Sequence, residues 1–522
     1  MVFRGPFPDI EVPATSLPDF VLEHASAFGD KPALIDGPSG RTITYAQLGG
    51  MTRSLGAGLA SRGFGSGDVF AIFSPNVPEY ALTFHGVLTA RGTNTTINSL
   101  ASTEDIEKQL RATRARFLLT IPQFLDRALP AAQAAGVEEV FVLGEAAEGA
   151  SAFSSLFATG AAPVDVDVDS AEAIAAMPMS SGTTGFAKVV QLTQRNLVAN
   201  VLQSDAVLNI RPDDVMIGVL PFFHIYGLTV LVNLALRKGA TVVTMPRFDL
   251  EEFLQLMQEH GVTFACLVPP IVLALAKHPA VDKFDLSSLE QVMSGAAPLD
   301  ASVCQAAAAR LDCVVVQGYG LTETSPVMSA STRDPAQARL ASSGPILPNT
   351  EIRVANLETG EDCAADEDGE IWARGPQVMK GYLDDPKANA YTLPGDGWLR
   401  TGDIGHVDAD GYLYVVDRLK ELIKYRGFQV PPAELEALLV QHPAVADAAV
   451  IPSPDDVAGE VPKAFVVKRG EVTDGELMSW VSERVPSYRK IRRVEFIDEI
   501  PRSLSGKILR RVLVEQERSK SG

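Results

Sequence analysis

The segment Met179-Ser-Ser-Gly-Thr-Thr-Gly-Phe-Ala-Lys188 gathers hydroxyls, glycines and a lysine between two apolar stretches. Such a loop has the backbone freedom and the donors to wrap N–H groups around phosphate oxygens. Ser180, Ser181, Gly182, Thr183, Thr184, Gly185 and Lys188 are therefore candidate phosphate contacts. The spacing Gly182-x-x-Gly185-x-x-Lys188 fails the G-x-x-x-x-G-K-[ST] pattern of P-loop ATPases. By itself the segment reads equally as a flexible linker, because Ser/Gly/Thr-rich loops are common.

Four further clusters follow in order: Gln317-Gly-Tyr-Gly-Leu-Thr-Glu323, Thr401-Gly-Asp403, Asp417-Arg418-Leu-Lys420-Glu-Leu-Ile-Lys424-Tyr-Arg-Gly427 and Ser505-Gly506-Lys507. In Gly318-Tyr319-Gly320 the glycines permit close backbone approach to a planar group and the tyrosine can stack on it; a tight turn with a core tyrosine is the alternative. Glu323 after Thr322 is either a metal-facing carboxylate or a helix N-terminal acid following a capping threonine. Asp403 and Arg418 taken singly are ordinary surface residues. His224 lies in Pro221-Phe-Phe-His-Ile-Tyr226, an apolar setting in which a lone histidine is usually a satisfied structural group.

These clusters must be carried by a chain of 522 residues, too long for one core, so a large domain and a smaller one are expected. With 46% hydrophobic and 21% charged residues the composition is globular, which sets disordered and collagen-like classes aside. A net charge of −20 repels nucleic-acid phosphates, so no nucleic-acid partner is expected. Basic residues cluster late, at 488–493 and 507–511, where they either meet an anion or form a solvated face. The four cysteines, Cys266, Cys304, Cys313 and Cys363, are widely spaced, arguing against a disulfide framework and a zinc site. The first twelve residues lack a signal-peptide pattern and Ser-Lys-Ser-Gly at the end is no peroxisomal address; a cytoplasmic location is expected. The apolar run 216–236 holds Pro221, His224 and Asn233 and reads as a buried strand, loop and helix rather than a membrane span.

The first half alternates helical spacing (45–63, 250–260) with short β-rich runs (69–73, 117–120, 139–143, 241–245, 263–268), which predicts an α/β layered sheet with covering helices. After about 344 come short strands and turns (351–354, 369–374, 412–416), a β-rich subdomain. From 419 onward helices at 432–439 and 474–485 and strands at 445–451 and 463–467 predict a small α+β unit. The fold class expected is α/β: an N-terminal domain over 1–417 of layered α/β subdomains plus the β-rich one, and a small mobile α+β C-terminal domain over 418–522. No repeats or low-complexity tracts occur.

Together the five clusters resemble the adenylate-forming superfamily of acyl-CoA synthetases, firefly luciferase and peptide-synthetase adenylation domains. Pro221-Phe-Phe-His-Ile-Tyr226 and Lys424-Tyr-Arg-Gly-Phe-Gln-Val-Pro-Pro-Ala-Glu-Leu-Glu436 are most similar to 4-coumarate:CoA ligases and bacterial cinnamate-activating relatives. The resemblance spans about 17–511. It implies an ATP-dependent ligase that forms an acyl-adenylate and passes the acyl group to coenzyme A, with Mg2+. By the same resemblance Glu323 and Thr184 meet the magnesium, and Lys507 meets the substrate carboxylate and α-phosphate. Asp403 and Arg418 hold the ribose, and Gly318, Tyr319 and Gly320 form the adenine shelf. Lys420 is the hinge about which the small domain turns to present Lys424, Arg426, Gly427 and Gln429 to coenzyme A. His224 guards the carboxylate entrance. Tyr226, Val230, Met293, Gly295, Ala296, Gly320 and 325–328 form the acyl pocket; Gly295 is expected to remove bulk from its floor, favouring a flat aromatic acid such as cinnamate or 4-coumarate.

The alternatives are a medium- or long-chain fatty acyl-CoA synthetase, an enzyme loading a carrier protein, and a silent nucleotide-binding protein. The absence of a carrier domain after Lys507 speaks against the second. Intact Glu323, Asp403, Arg418 and Lys507 speak against the third. Departures from the family pattern sit around the loop: Ala187 for Pro, Val189 for Gly, Gln194 for His. Val189 is expected to narrow backbone freedom beside Lys188. The expected assembly is a monomer or homodimer.

Overall fold

The structure, a computed structural model, describes residues 1–157, 168–180, 188–426, 428–455, 457–503 and 506–520. Its strands form four sheets among the described residues. Two are mainly parallel. In one, Pro32–Asp36, Val215–Gly218, Thr241–Thr244, Phe264–Leu267, Gln291–Ser294 and Val314–Gly320 run parallel, with antiparallel strands at both edges. In the other, Val69–Phe73, Thr93–Thr96, Ala115–Thr120, Glu139–Val142 and Ile174–Ala176 are parallel, and Lys188–Thr193 adds antiparallel to Ile174–Ala176. Parallel strands covered by helices on their faces are buried on both sides, which is why Val69–Phe73 is buried at every position.

The helices form where capping and periodicity agree. Leu250–His260 starts on Asp249, whose carboxylate accepts the N–H groups of Glu251 and Glu252, and stops at left-handed Gly261; both features act as boundaries. Tyr45–Ser61 opens with a capping box between Thr44 and Gln47. The run 216–236 resolves into a buried strand, a loop and the helix Gly227–Leu234, which is a π-helix continued by Ala235–Lys238. Among the described residues no helix is long and apolar enough to cross a membrane. All four cysteines are free.

The β-rich region is an antiparallel sheet of Glu351–Ala355, Gly369–Arg374, Leu399–Val407 and Leu413–Arg418, to which Val2–Phe3 adds an edge strand. The chain then enters a separate five-stranded sheet through Ile423–Tyr425. There Val445–Asp455 and Gly459–Lys468 form a long antiparallel pair, covered by Pro432–Val440, Asp474–Ser482 and Arg510–Lys520 around their own cores.

The late basic residues are largely absorbed by acids. Arg489 pairs with Glu434, Arg493 with Asp455, and Arg510 lies between Glu421 and Glu436. The departure Val189 lies inside the strand Lys188–Thr193, paired with Met179, where extended backbone needs no glycine. Gln194 opens the helix Gln194–Leu208 and its buried amide oxygen accepts the Leu17 N–H at 2.8 Å. Ala187 lies outside the described residues.

Candidate functional site

Adjacent antiparallel strands set Asp403 opposite Arg418. The Arg418 guanidinium reaches Asp403 Oδ1 at 3.2 Å, and the Tyr319 hydroxyl donates to Oδ2 at 2.5 Å. Asp403 is buried, so its charge is held by those partners rather than by water. Burial opposes the Arg418 charge, yet Asp403 and Glu421 outweigh it and raise that pKa. Tyr319 lies between Gly318 and Gly320 on Val314–Gly320, a strand that turns back through the short helix Thr322–Thr324 into Val327–Ala330. A Cβ on Gly320 would lie 1.9 Å from the Pro326 carbonyl oxygen, so the return is passable only to glycine.

Glu323 and its half-buried neighbour Thr322 sit on that 3-10 turn. The Tyr382 hydroxyl donates to Glu323 Oε1 at 2.8 Å, and the Lys188 ammonium lies 4.7 Å from the centre of the same tyrosine ring. Ser180 is the cross-strand neighbour of Lys188, and its buried hydroxyl has no partner among the described residues. Ser181, Gly182, Thr183, Thr184, Gly185 and Gly427 lie outside the described residues.

Lys507 enters from the small unit. The preceding Gly506, with φ +74°, sits so close to the large unit that a Cβ would come 3.1 Å from Val268 and 3.2 Å from Pro270. Burial, then the Arg418 charge, pushes the Lys507 pKa down to about 8. His224 keeps part of its surface open, yet burial and then Lys507 push its imidazole down to about 4, so it is neutral at ordinary pH. Its Nδ1 accepts the Tyr226 N–H at 3.4 Å, which leaves the ring proton on Nε2. Lys420 is lowered by burial, then by Lys188 and Arg418. Lys188, Lys420, Arg418 and Lys507 thus lie within electrostatic reach of one another, and the neighbouring cations add to burial in disfavouring the charged forms of Lys420 and Lys507. A polyphosphate is the ligand that relieves that repulsion.

Behind His224, Tyr226 donates to the Met293 carbonyl at 3.3 Å. Its ring fills the room beside Gly295: a Cβ there would lie 2.8 Å from Tyr226 Cε1. The missing side chain at Gly295 makes space for the ring of Tyr226, another of the expected acyl-pocket residues. Val230 is buried within the π-helix, and Thr229 donates to the Ser325 carbonyl at 2.7 Å. Ala296 is exposed with φ +69°, a left-handed conformation uncommon for alanine.

The coenzyme-side residues sit elsewhere. Lys424, Arg426 and Gln429 are exposed on the hairpin Ile423–Tyr425 and Phe428–Val430, whose backbone bonds run to Ala458 and Glu460 of the small unit.

Sequence reasoning missed Asn76, Thr96 and Tyr382. Asn76 donates to the Gly218 and Leu220 carbonyls and accepts the Phe222 N–H, and Thr96 donates to the Phe223 carbonyl. They clamp the loop that presents His224. The available signal was a polar residue following the buried strand Val69–Phe73 in Ser74-Pro75-Asn76.

The geometry gathers Lys188, Lys420, Arg418 and Lys507 near Asp403 and Glu323, beside the buried apolar residues Tyr226, Val230 and Met293, a setting suited to an anionic ligand. The sequence model of the AMP-binding enzyme matches residues 21–383, and that of the AMP-binding enzyme C-terminal domain matches 434–507. The chain is 42% identical to 4-coumarate–CoA ligase 5 of Oryza sativa subsp. japonica and 41% identical to 4-coumarate–CoA ligase 1 of Petroselinum crispum, each match covering 98% of this chain and 96% of the relative. Its fold matches ATP-bound MatB from Rhodopseudomonas palustris with TM-score 0.87 at 27% identity, over 97% of this chain and 100% of that one. It also matches the o-succinylbenzoate CoA synthetase MenE from Bacillus subtilis, in complex with its acyl-adenylate intermediate, with TM-score 0.82 at 29% identity, over 96% and 98%. The chain belongs to the AMP-binding enzyme family.

Proposed function

We propose that this enzyme is an acid–thiol ligase that activates a cinnamate- or 4-coumarate-type acid with ATP and transfers the acyl group to coenzyme A. The observation that carries the reading is the clustering of Lys507, Lys420 and Lys188 around the Arg418–Asp403 pair, with Glu323 within electrostatic reach of Arg418. The aromatic acid is favoured by the 4-coumarate–CoA ligases at 41–42% identity.

In the first half-reaction a carboxylate oxygen attacks the α-phosphorus of ATP; the bond to the β-phosphate breaks, and pyrophosphate leaves. Two anions must approach, so the site's task is to neutralise developing charge. Lys507 is assigned to the acid and α-phosphate, and Lys188, Ser180 and the loop 181–187, including Thr184, to the β- and γ-phosphates. Asp403 and Arg418 take the ribose and Gly318–Gly320 the adenine. No group of three or more acids, histidines or cysteines able to hold an ion occurs among the described residues. One carboxylate, Glu323, fits a magnesium ion that shares its ligands with phosphate and water. When bound, Mg2+ supplies charge neutralisation to the phosphate oxygens. His224, neutral and with its proton on Nε2, is a donor at the carboxylate entrance.

In the second half-reaction the coenzyme sulfur attacks the acyl carbonyl and AMP leaves with the carbonyl–phosphate oxygen. The domain division at 417/418, the Lys420 hinge and a rotation that withdraws Lys507 and brings in Lys424, Arg426, Gly427 and Gln429 belong to this proposal. So do a cytoplasmic location and a monomer or homodimer.

The test is pyrophosphate release with Mg-ATP across cinnamates, benzoates and C6 to C16 fatty acids, with and without coenzyme A, beside Lys507→Ala. Acid-dependent release fastest with cinnamates and abolished in the variant is expected. Release fastest with fatty acids overturns the aromatic assignment, and no release with any acid overturns the ligase.

A further inference from the structure

Tyr382 touches both charged groups at the phosphate end of the cleft. It lies on Gly381–Tyr382, which pairs with Lys188–Thr193 so that Tyr382 stands opposite Val190. The same segment bonds to the Glu323 turn, because the Met379 N–H donates to the Glu323 carbonyl at 2.9 Å. Asn389 fixes the Tyr382 backbone from the other side, accepting its N–H at 2.6 Å and donating to its carbonyl at 2.8 Å. The ring is buried, and burial together with Glu323 keeps the phenol protonated, so its hydroxyl is a permanent donor to Glu323 Oε1. The Lys188 ammonium lies over the ring at 4.7 Å from its centre, within cation–π range. Among the described residues no ion pair joins Lys188 to Glu323, although both engage the same side chain.

We propose that Tyr382 is a positioning residue for adenylation: its ring seats the Lys188 cation, its hydroxyl orients the Glu323 carboxylate, and its body keeps these opposite charges from neutralising each other. Lys188 then presents its ammonium to the nucleotide phosphates, and Glu323 its second oxygen to the cation bound with them. A directly paired Lys188 and Glu323 would have to separate before either met the nucleotide, and that cost would appear as weaker Mg-ATP binding. The proposal rests on the ligase reading above.

Tyr382→Phe keeps the ring and removes the hydroxyl; Tyr382→Leu removes both. Calorimetric titration with ATP, with and without Mg2+, is read beside acid-dependent pyrophosphate release and thermal unfolding. In the phenylalanine variant the Mg2+ concentration for half-maximal release rises about tenfold, as expected for a lost hydrogen bond to a charged group, while Mg-free ATP affinity stays at the wild-type value. The leucine variant also loses Mg-free ATP affinity several-fold. Unchanged Mg2+ dependence in the phenylalanine variant, or losses that simply follow a lowered melting temperature in both variants, overturn the proposal. A wild-type protein that binds Mg-ATP but releases no pyrophosphate with any acid fails the ligase reading instead, and the binding titrations still judge Tyr382.

Discussion

Lys507 holds its proton only up to about pH 8 in the nucleotide-free protein, because burial and Arg418 disfavour its cation. The working form is the cation, so free-enzyme kcat/KM for adenylation is expected to be full below that value and to fall as pH rises through about 8. Lys507→Arg, whose guanidinium does not titrate there, removes the falling limb even if its rate is lower. His224, held down to about 4, contributes no limb between pH 5 and 8. His224→Ala is expected to lower the two half-reactions unequally, measured as pyrophosphate exchange against thioester formation; equal losses would deny it a positioning role. At this scale the sequence was most legible. Asp403, Arg418, Glu323 and Lys507 were legible through the family resemblance of the clusters that hold them, since singly their residue types are ambiguous, and the structure brings them near one another. Tyr382 was not legible, since a tyrosine after a glycine carries no mark of the two partners it meets.

The loop between Val215–Gly218 and the π-helix Gly227–Leu234 is held by borrowed hydrogen bonds. Asn76 satisfies two of its backbone groups and the carbonyl of Gly218 at the end of the preceding strand, and these lie where water does not reach. Asn76→Ala leaves them unpaired and is expected to destabilise the large domain by about 2–4 kcal/mol, read as a lower melting temperature, with a raised KM for the acid because the His224 loop loses its seat. Helices such as Leu250–His260 were legible because cap, period and stop are local. The π-winding of Gly227–Leu234 was not: all eight positions are buried, so no alternation of buried and exposed residues distinguishes 3.6 residues per turn from a wider spiral. Its departure from α-geometry falls at Val230, within the expected acyl pocket, which is a common place for such a winding.

Across the whole molecule the small unit is docked through Gly506, where a Cβ would press on Val268 and Pro270, and Gln441 reaches Asp300 at 3.3 Å. Gly506→Val would wedge that contact and strain a left-handed backbone. Adenylation is expected to fall by about 10- to 100-fold from lost alignment of Lys507, while thioester formation from supplied acyl-adenylate keeps most of its rate; equal loss of both would show that the docked pose is not particular to the first step. The α/β layering of the first part, the β-rich region and the small α+β unit were legible from alternating patterns; the division of the α/β strands into two sheets was not, because periodicity does not say which strands pair. The pairing of Val2–Phe3 with Glu351–Ala355 was not, since two residues have no periodicity. That edge strand pairs two segments far apart in sequence, which implies an order of events during synthesis. Arg4 and its partner Glu351 are 347 residues apart, so at ribosomal speeds the leading strand waits on the order of 20 to 70 s for the sheet it completes. Until then that strand lacks its partner, and its unpaired backbone groups are open to water, chaperones and neighbouring nascent chains on the same polysome.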